Sequence, residues 1–371
     1  MAVDALIMTC GTGGGHNAAA FAMKEELERR GHSARVLNPY TLHSEALARR
    51  IDSTYVSMAQ RAPDLFGAMY SLGNAYRRLP FRSPVYHVNC GMARLLRQEL
   101  AAHPCDVILC THLFPAEIMT RMKLRGMAVP PCIFIATDYA CIPFTEETDC
   151  DAYVIPAQDL TGDFVRRGLP QERLHPLGIP VSAAFETDVS RAEARRELGL
   201  EQEGRLALIS GGSMGASQIG AIARCLREHA DNWQAAVVCG SNRHLQEELT
   251  AGYGSGFRIL GQTDQMALYM RACDVYITKP GGLSSTEAAC TGVPLVHMAP
   301  IPGCETLNRR YFTSRGMSLP LDNPEEELMP LLSRLTEGGE AEAMVRSQRE
   351  RLPRGAAGRI ADLAGTLARV R

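Results

Sequence analysis

Short, continuously apolar runs alternate along the chain with longer stretches in which apolar residues recur every three to four positions. Residues 5–9 (ALIMT) form the first run and end in glycines. Ala19, Met23 and Leu27 then mark one face of a helix that Gly31 closes. Residues 35–38, 106–110 and 132–136 read as further strands, with a helix between the last two. Helical segments are predicted over about 44–61, 65–78 and 85–101. Runs without polar alternation imply strands buried on both faces, hence a parallel sheet covered by helices. Around residues 174–190 (LHPLGIPVSAAFETDVS) two prolines and a glycine interrupt the pattern. Strand–helix alternation then restarts, with strands at 206–210, 235–239, 258–260, 275–278 and 294–298. The pattern predicts an α/β protein of two similar parallel-sheet lobes, 1–176 and 177–350. A helical tail at about 351–371 is free to pack back on the first.

Glycines cluster where strands hand over to helices. Gly11-Thr-Gly13-Gly14-Gly15-His16-Asn17 follows the first strand of the first half, and Gly211-Gly212-Ser213-Met214-Gly215 follows the first strand of the second. Lys279-Pro-Gly281-Gly282-Leu-Ser284-Ser285 follows a later strand and opens the helix that carries Glu287. Such turns either serve packing alone or present bare N–H groups at a helix N-terminus, where an anion is favoured. Neither of the two leading loops is a Walker A sequence, because no Lys-Ser or Lys-Thr follows the glycines. GTGGGH lacks GxGxxG spacing, and the next strand ends in Asn38 rather than an acid, which disfavours a dinucleotide site. His16, on the first turn of its helix, is either a cap or a group placed to touch substrate and take a proton. Glu287 is either a dipole-compensating acid or a carboxylate for two ribose hydroxyls. Glu305 and Asn308, one helical turn apart, are either solvated surface or a pair suited to sugar hydroxyls.

Composition narrows the classes. The 371 residues carry 39 Lys+Arg against 41 Asp+Glu, a formal net charge of −2, so no global field draws the chain to nucleic acid. No secretory signal pattern and no long apolar span is read from the sequence. The 12 cysteines are scattered without a CxxC pair, and Cys10, Cys110, Cys132 and Cys239 lie in strand-like runs. Small buried thiols in a reducing compartment fit them better than a disulfide frame or a metal site.

The pairing of GTGGGHNAAA with TKPGGLSSTEAACTGVPLV and PGCETLN resembles the monogalactosyl- and glucosyl-diacylglycerol synthases of glycosyltransferase family 28. That family also contains the peptidoglycan lipid-intermediate N-acetylglucosaminyltransferase. The Gly-Gly-Gly-His-Asn opening and the helical insert at 44–100 are closer to the diacylglycerol branch. The resemblance implies a GT-B fold of two Rossmann-like parallel-sheet lobes facing a cleft. The C-terminal lobe would hold a UDP-sugar, and the N-terminal lobe a lipid acceptor at the inner face of the cell membrane. It implies inverting transfer without a metal or other cofactor, the UDP-sugar being a substrate. Residue by residue, it implies that Gly211 to Gly215 and the 279–285 loop face the diphosphate, and that Glu287 holds the ribose. Glu305 and Asn308 would read the sugar, and backbone groups near Gln262 the uracil. Gly13, Gly14, Gly15 and Asn17 would line the acceptor loop, and His16 or Asp138 of Thr-Asp-Tyr139 would act as base. Two departures stand out: Cys141-Ile142-Pro143 where relatives often carry a His, and Cys304 where they often carry Gln.

From Leu65 to Gln98 there is no acid, while Arg77, Arg78, Arg82, Arg94 and Arg97 interleave with Phe66, Met69, Tyr70, Leu72, Leu79 and Phe81. This stretch is either a patch that docks on an anionic membrane, centred on Arg77, Arg78, Phe81 and Arg82, or a buried helix pair with a solvated Arg face. Transfer of N-acetylglucosamine to a polyprenyl-diphosphate intermediate and non-catalytic sensing of a UDP-sugar are the alternative functions.

Overall fold

The apolar runs form two six-stranded sheets, and every strand pair in both is parallel. The structure is a computed structural model and describes residues 2–77, 79, 81–211, 218–230, 232–253 and 257–369, with the side chains of 59 and 60 excepted. The first sheet contains β1 (Asp4–Met8), β2 (Ser33–Leu37), β3 (Val107–Cys110), β4 (Cys132–Ile135), β5 (Ala152–Val154) and β6 (Leu174–His175), in the order β2-β1-β3-β4-β5-β6. The second contains β7 (Arg205–Ser210), β8 (Trp233–Val238), β9 (Phe257–Leu260), β10 (Val275–Thr278), β11 (Leu295–His297) and β12 (Leu319–Pro320), in the order β12-β11-β10-β7-β8-β9. All residues of β3 and β4 are buried, as a sheet covered on both faces requires. β5, β6 and β12 escape a reading of hydrophobic runs because they are only three, two and two residues long.

In each sheet the strand that comes first in the sequence lies between neighbours reached in opposite directions. β1 sits between β2 and β3, and β7 between β8 and β10. Crossovers on either side of such a strand leave a crevice at its carboxyl end, the usual ligand position in open α/β sheets. The loops after β1 and β3, and those after β7 and β10, are therefore the places where topology puts chemistry.

The chain divides into two units. The first holds Met1–Ala183, Ile301–Cys304 and Pro353–Arg371, the second Ala184–Pro300 and Glu305–Leu352. The division falls a few residues beyond 176/177 because the chain after β6 is still tied to the first sheet: the Ile155 amide donates to the His175 carbonyl, and the Gly178 amide to the Ile155 carbonyl. In the tail, helix Ala356–Ala368 buries Ala357, Ile360 and Ala364 in one core with Ile7, Met23 and Leu109. Asp362 of that helix pairs with Arg30 at 2.6 Å.

Six helices of the first unit frame its crevice: α1 (Gly14–Arg29), α2 (Glu45–Arg61), α3 (Pro63–Tyr76), α4 (Pro84–Cys90), α5 (Ala93–Ala102) and α6 (Leu113–Leu124). The segment expected as one helix over 85–101 is two, parted at Gly91. Ser44 caps α2 through the Leu47 amide, and Ser83 caps α4 through the Tyr86 amide, each at 3.1 Å. Among the described residues, no helix is long and apolar enough to cross a membrane.

Candidate functional site

His16 stands on the first turn of α1, immediately after the β1 loop. Its Nδ1 lies 2.8 Å from the Thr111 carbonyl oxygen and 2.9 Å from Thr137 Oγ1. A carbonyl can only accept, so Nδ1 carries the ring proton and Nε2 holds the lone pair. Thr111 also donates its hydroxyl to the His16 carbonyl at 3.0 Å, fixing the helix start to the end of β3. Burial lowers the His16 pKa; the nearby Asp138 charge and the Thr111 carbonyl oppose that shift. The net result is a neutral imidazole beside a carboxylate that would favour its protonated form.

His112, next after Thr111, was not singled out from the sequence. It meets His16 edge-on with ring centroids 4.5 Å apart. Its Nδ1 accepts from the Phe114 amide at 3.2 Å, capping α6, so its Nε2 donates to Thr12 Oγ1 at 2.9 Å. Burial, with the adjacent His16, holds its pKa well below the ordinary value, so it is a fixed neutral wall to the site. The sequence signal for Thr111 and His112 is positional: they follow β3 as the glycine loop follows β1, on the opposite side of one crevice. Together His16, Thr111, His112, Thr137 and Asp138 line a small pocket, with apolar groups such as Phe134 and Phe164 on its other walls.

The loop itself is laid out for tight approach. Gly13 is the N-cap of α1, no side chain caps the helix, and no acid stands in its first turn. Asn17 Oδ1 accepts from the Thr9 hydroxyl at 3.0 Å, so this side chain is turned to β1. Beside Gly11 lies Asp52 of α2, whose carboxylate accepts from the Gly11 amide while burial pushes its pKa up.

In the second unit the expected donor residues share one sheet edge. Gly211 follows β7, and Gly212, Ser213, Met214 and Gly215 lie outside the described residues. Gly281 is the N-cap of helix Gly282–Thr291, with no side-chain cap and no acid in the first turn. Ser284 and Glu287 are half-buried on that helix. Burial pushes the Glu287 carboxyl up to about 8. Lys279, after β10, pairs with Glu305 at 2.6 Å on helix Cys304–Thr313. Gln262 is exposed beyond β9.

Two expected donor contacts are corrected. Ser285 is wholly buried; its hydroxyl donates to the Gly281 carbonyl at 2.8 Å and faces His297 Nε2 at 2.9 Å. Asn308 is also wholly buried and donates from Nδ2 to the Pro280 carbonyl at 3.1 Å. Both side chains are tied to the backbone of the turn that opens this helix.

The expected basic patch is corrected as well. Arg82 stacks over the Tyr86 ring at 4.4 Å and donates to the Glu147 carbonyl, and Arg77 lies 3.8 Å from Glu146. Both arginines are engaged within the unit: Arg77 faces the Glu146 carboxylate, and Arg82 meets the backbone carbonyl of Glu147, whose own carboxylate accepts from Ser83. Arg78 lies outside the described residues. What faces outward is apolar: Leu65, Ala68, Met69, Leu72 and Ala75 run along the exposed side of α3, continued by Leu79 and Phe81, the last 69% exposed.

Two doubly wound lobes with glycine turns at the switch points are the layout of the GT-B fold, and the glycosyltransferase class follows from the family models below. MurG of Acinetobacter baumannii superposes with a TM-score of 0.63 at 16% identity, over 98% of this chain and 99% of that one. HepE of Anabaena in complex with UDP-glucose gives 0.54 at 13%, over 99% and 98%. The family model for monogalactosyldiacylglycerol synthase matches residues 16–181, and that for the glycosyltransferase family 28 C-terminal domain residues 206–350. Its N-terminal part is thus similar to the monogalactosyldiacylglycerol synthases, and its C-terminal part to the glycosyltransferases of family 28. A processive diacylglycerol beta-glucosyltransferase of Bacillus licheniformis is 28% identical over 90% of this chain and 86% of its own. One of Staphylococcus saprophyticus is 28% identical over 68% of this chain and 66% of its own, just under two thirds.

Proposed function

We propose that this chain transfers a hexose from a UDP-sugar to the free hydroxyl of a diacylglycerol, with inversion, at the inner face of the cell membrane. The observation that carries the reading is the state of His16: Nδ1–H is committed to Thr111, so Nε2 is the basic nitrogen in a pocket of the acceptor lobe. The diacylglycerol glucosyltransferase relatives and the UDP-glucose complex of HepE support the choice of substrates.

On this reading His16 Nε2 takes the acceptor proton as the oxygen attacks the anomeric carbon. The bond from that carbon to the diphosphate breaks, and UDP leaves on the opposite face, which inverts the centre. The imidazolium so formed is stabilised by Asp138, which already favours that state. Amides at the start of helix Gly282–Thr291 meet the charge that develops on the diphosphate. Lys279, offset by Glu305, adds a fixed cation at the same edge. No resident cofactor enters this scheme.

The outward stripe on α3 supports action at a membrane surface. Its apolar side chains gain roughly 1.5–3 kcal/mol each when a large one passes fully from water into an acyl layer. Purified protein given UDP-glucose or UDP-galactose and dispersed dioctanoylglycerol is expected to yield a lipid heavier by one hexose, read by mass spectrometry. UDP binding without transfer to that acceptor would overturn the reading.

A further inference from the structure

Strand β11 ends in a histidine that takes no part in the transfer described above. His297 is wholly buried, with its ring edge-on to Phe312 at 5.4 Å. Its Nε2 lies 2.9 Å from Ser285 Oγ, and its Nδ1 lies 2.9 Å from the buried Ser318 Oγ. Ser285 spends its one hydroxyl proton on the Gly281 carbonyl. It therefore meets the imidazole as an acceptor, and Nε2 carries the ring proton. Burial, aided by the Arg309 charge, lowers the His297 pKa to about 3, so the ring holds one proton only. Nδ1 is then a lone pair, and Ser318 is its donor. The result is one directed chain, from Ser318 through His297 and Ser285 to the Gly281 carbonyl. Hydrogen bonds aligned in this way strengthen one another.

The chain ends on the peptide unit that opens a helix. The Gly281 carbonyl also accepts from the Ser285 amide at 3.0 Å. The N–H of that same planar unit belongs to Gly282, the first residue of helix Gly282–Thr291, and such a group has no acceptor within the helix. Neither glycine has a side chain to orient the plane, and no side chain caps the helix. Donors that grip the carbonyl end of a rigid plane also set where its N–H end points.

We propose that His297 is a positioning residue for the sugar donor: through Ser285 it fixes the 281–282 peptide plane so that the Gly282 N–H meets the diphosphate. This role rests on the reading of the helix start as the diphosphate site, and adds to it a buried residue that acts at one remove.

Calorimetry of the full chain with UDP and with uridine, which lacks both phosphates, separates this role from a general loosening of the lobe. His297→Leu is expected to weaken UDP about tenfold and to leave uridine within about twofold. His297→Gln, whose amide keeps a donor toward Ser285, is expected to bring UDP back to within about threefold of the wild type. Ser285→Ala is expected to reproduce the loss, and the double variant to lose no more than either change alone. Should His297→Leu not fold, Ser285→Ala carries the same comparison. Nitrogen-15 spectra of the wild-type imidazoles, with His297 assigned by the signal missing from His297→Gln, are expected to show Nε2–H and a bare Nδ1. An unchanged UDP affinity in His297→Leu, an equal loss for UDP and uridine, or an Nδ1–H tautomer overturns the role of His297 and leaves the donor reading standing. Failure of the wild-type chain to bind UDP overturns both.

Discussion

The two sheets offer the same crevice and fill it differently. At the β1/β3 edge the first helical turn carries His16, and the facing turn carries Thr111 and His112, all mutually hydrogen-bonded or stacked. At the β10 end of the second sheet the helix opens on Gly281 and Gly282 with no side-chain cap, and the buried Ser285 and Asn308 donate to the Gly281 and Pro280 carbonyls of that turn. One edge holds a proton acceptor whose protonation is tuned by its surroundings, and the other holds amides of fixed polarity. A parallel sheet thus supplies a position; whether that position does acid–base work or anion binding depends on whether the first turn carries an imidazole or nothing.

The largest expected effect breaks this comparison on the first side. His16→Ala removes the base and should lower kcat by about 10²–10⁴ with UDP affinity kept; a matching loss of UDP binding would contradict the division of labour. Next comes Glu287→Gln in the second unit. If Glu287 grips two ribose hydroxyls as a carboxylate, its replacement weakens UDP by about tenfold to a hundredfold in calorimetry. The same residue gives a pH signature. Its carboxyl sits near 8 before ligand arrives, and accepting hydroxyl hydrogen bonds favours the charged form, so UDP binding releases a proton. Affinity should rise with pH until about 8 and then level off, and Glu287→Gln should abolish that slope.

A smaller effect sharpens the first side. Because His16 is held below its ordinary 6.5, the acid limb of kcat/KM should fall below that pH. Asp138 is the charge that raises it, so Asp138→Asn should move the limb further down, beyond any drop in rate. The smallest effect concerns α3: Leu72→Ser with Met69→Ser should weaken vesicle binding several-fold, read by co-sedimentation, with transfer to a micellar acceptor little changed.

The architecture was legible because buried parallel strands announce themselves as apolar runs and the switch points as glycines. β5, β6 and β12 were not, since two or three residues carry no periodicity. His16 was readable from its place after a glycine loop. Thr111, His112 and Thr137 were not, because their importance lies in bonds to a residue about a hundred positions away, and no local pattern encodes that pairing. Ser285 and Asn308 misled for the opposite reason: polar residues at a sheet edge look like ligand contacts until the structure turns them inward. Arg77 and Arg82 misled because what they meet, the Glu146 carboxylate and the Glu147 backbone carbonyl, comes from a distant part of the chain.

Helix Ala356–Ala368 completes one face of the sheet that begins at residue 4. During synthesis, then, the lobe started first is completed only after the second has been made. Its β1 and α1 wait with an uncovered apolar surface until residues 356–368 emerge, by which time the whole intervening lobe has already emerged and can fold.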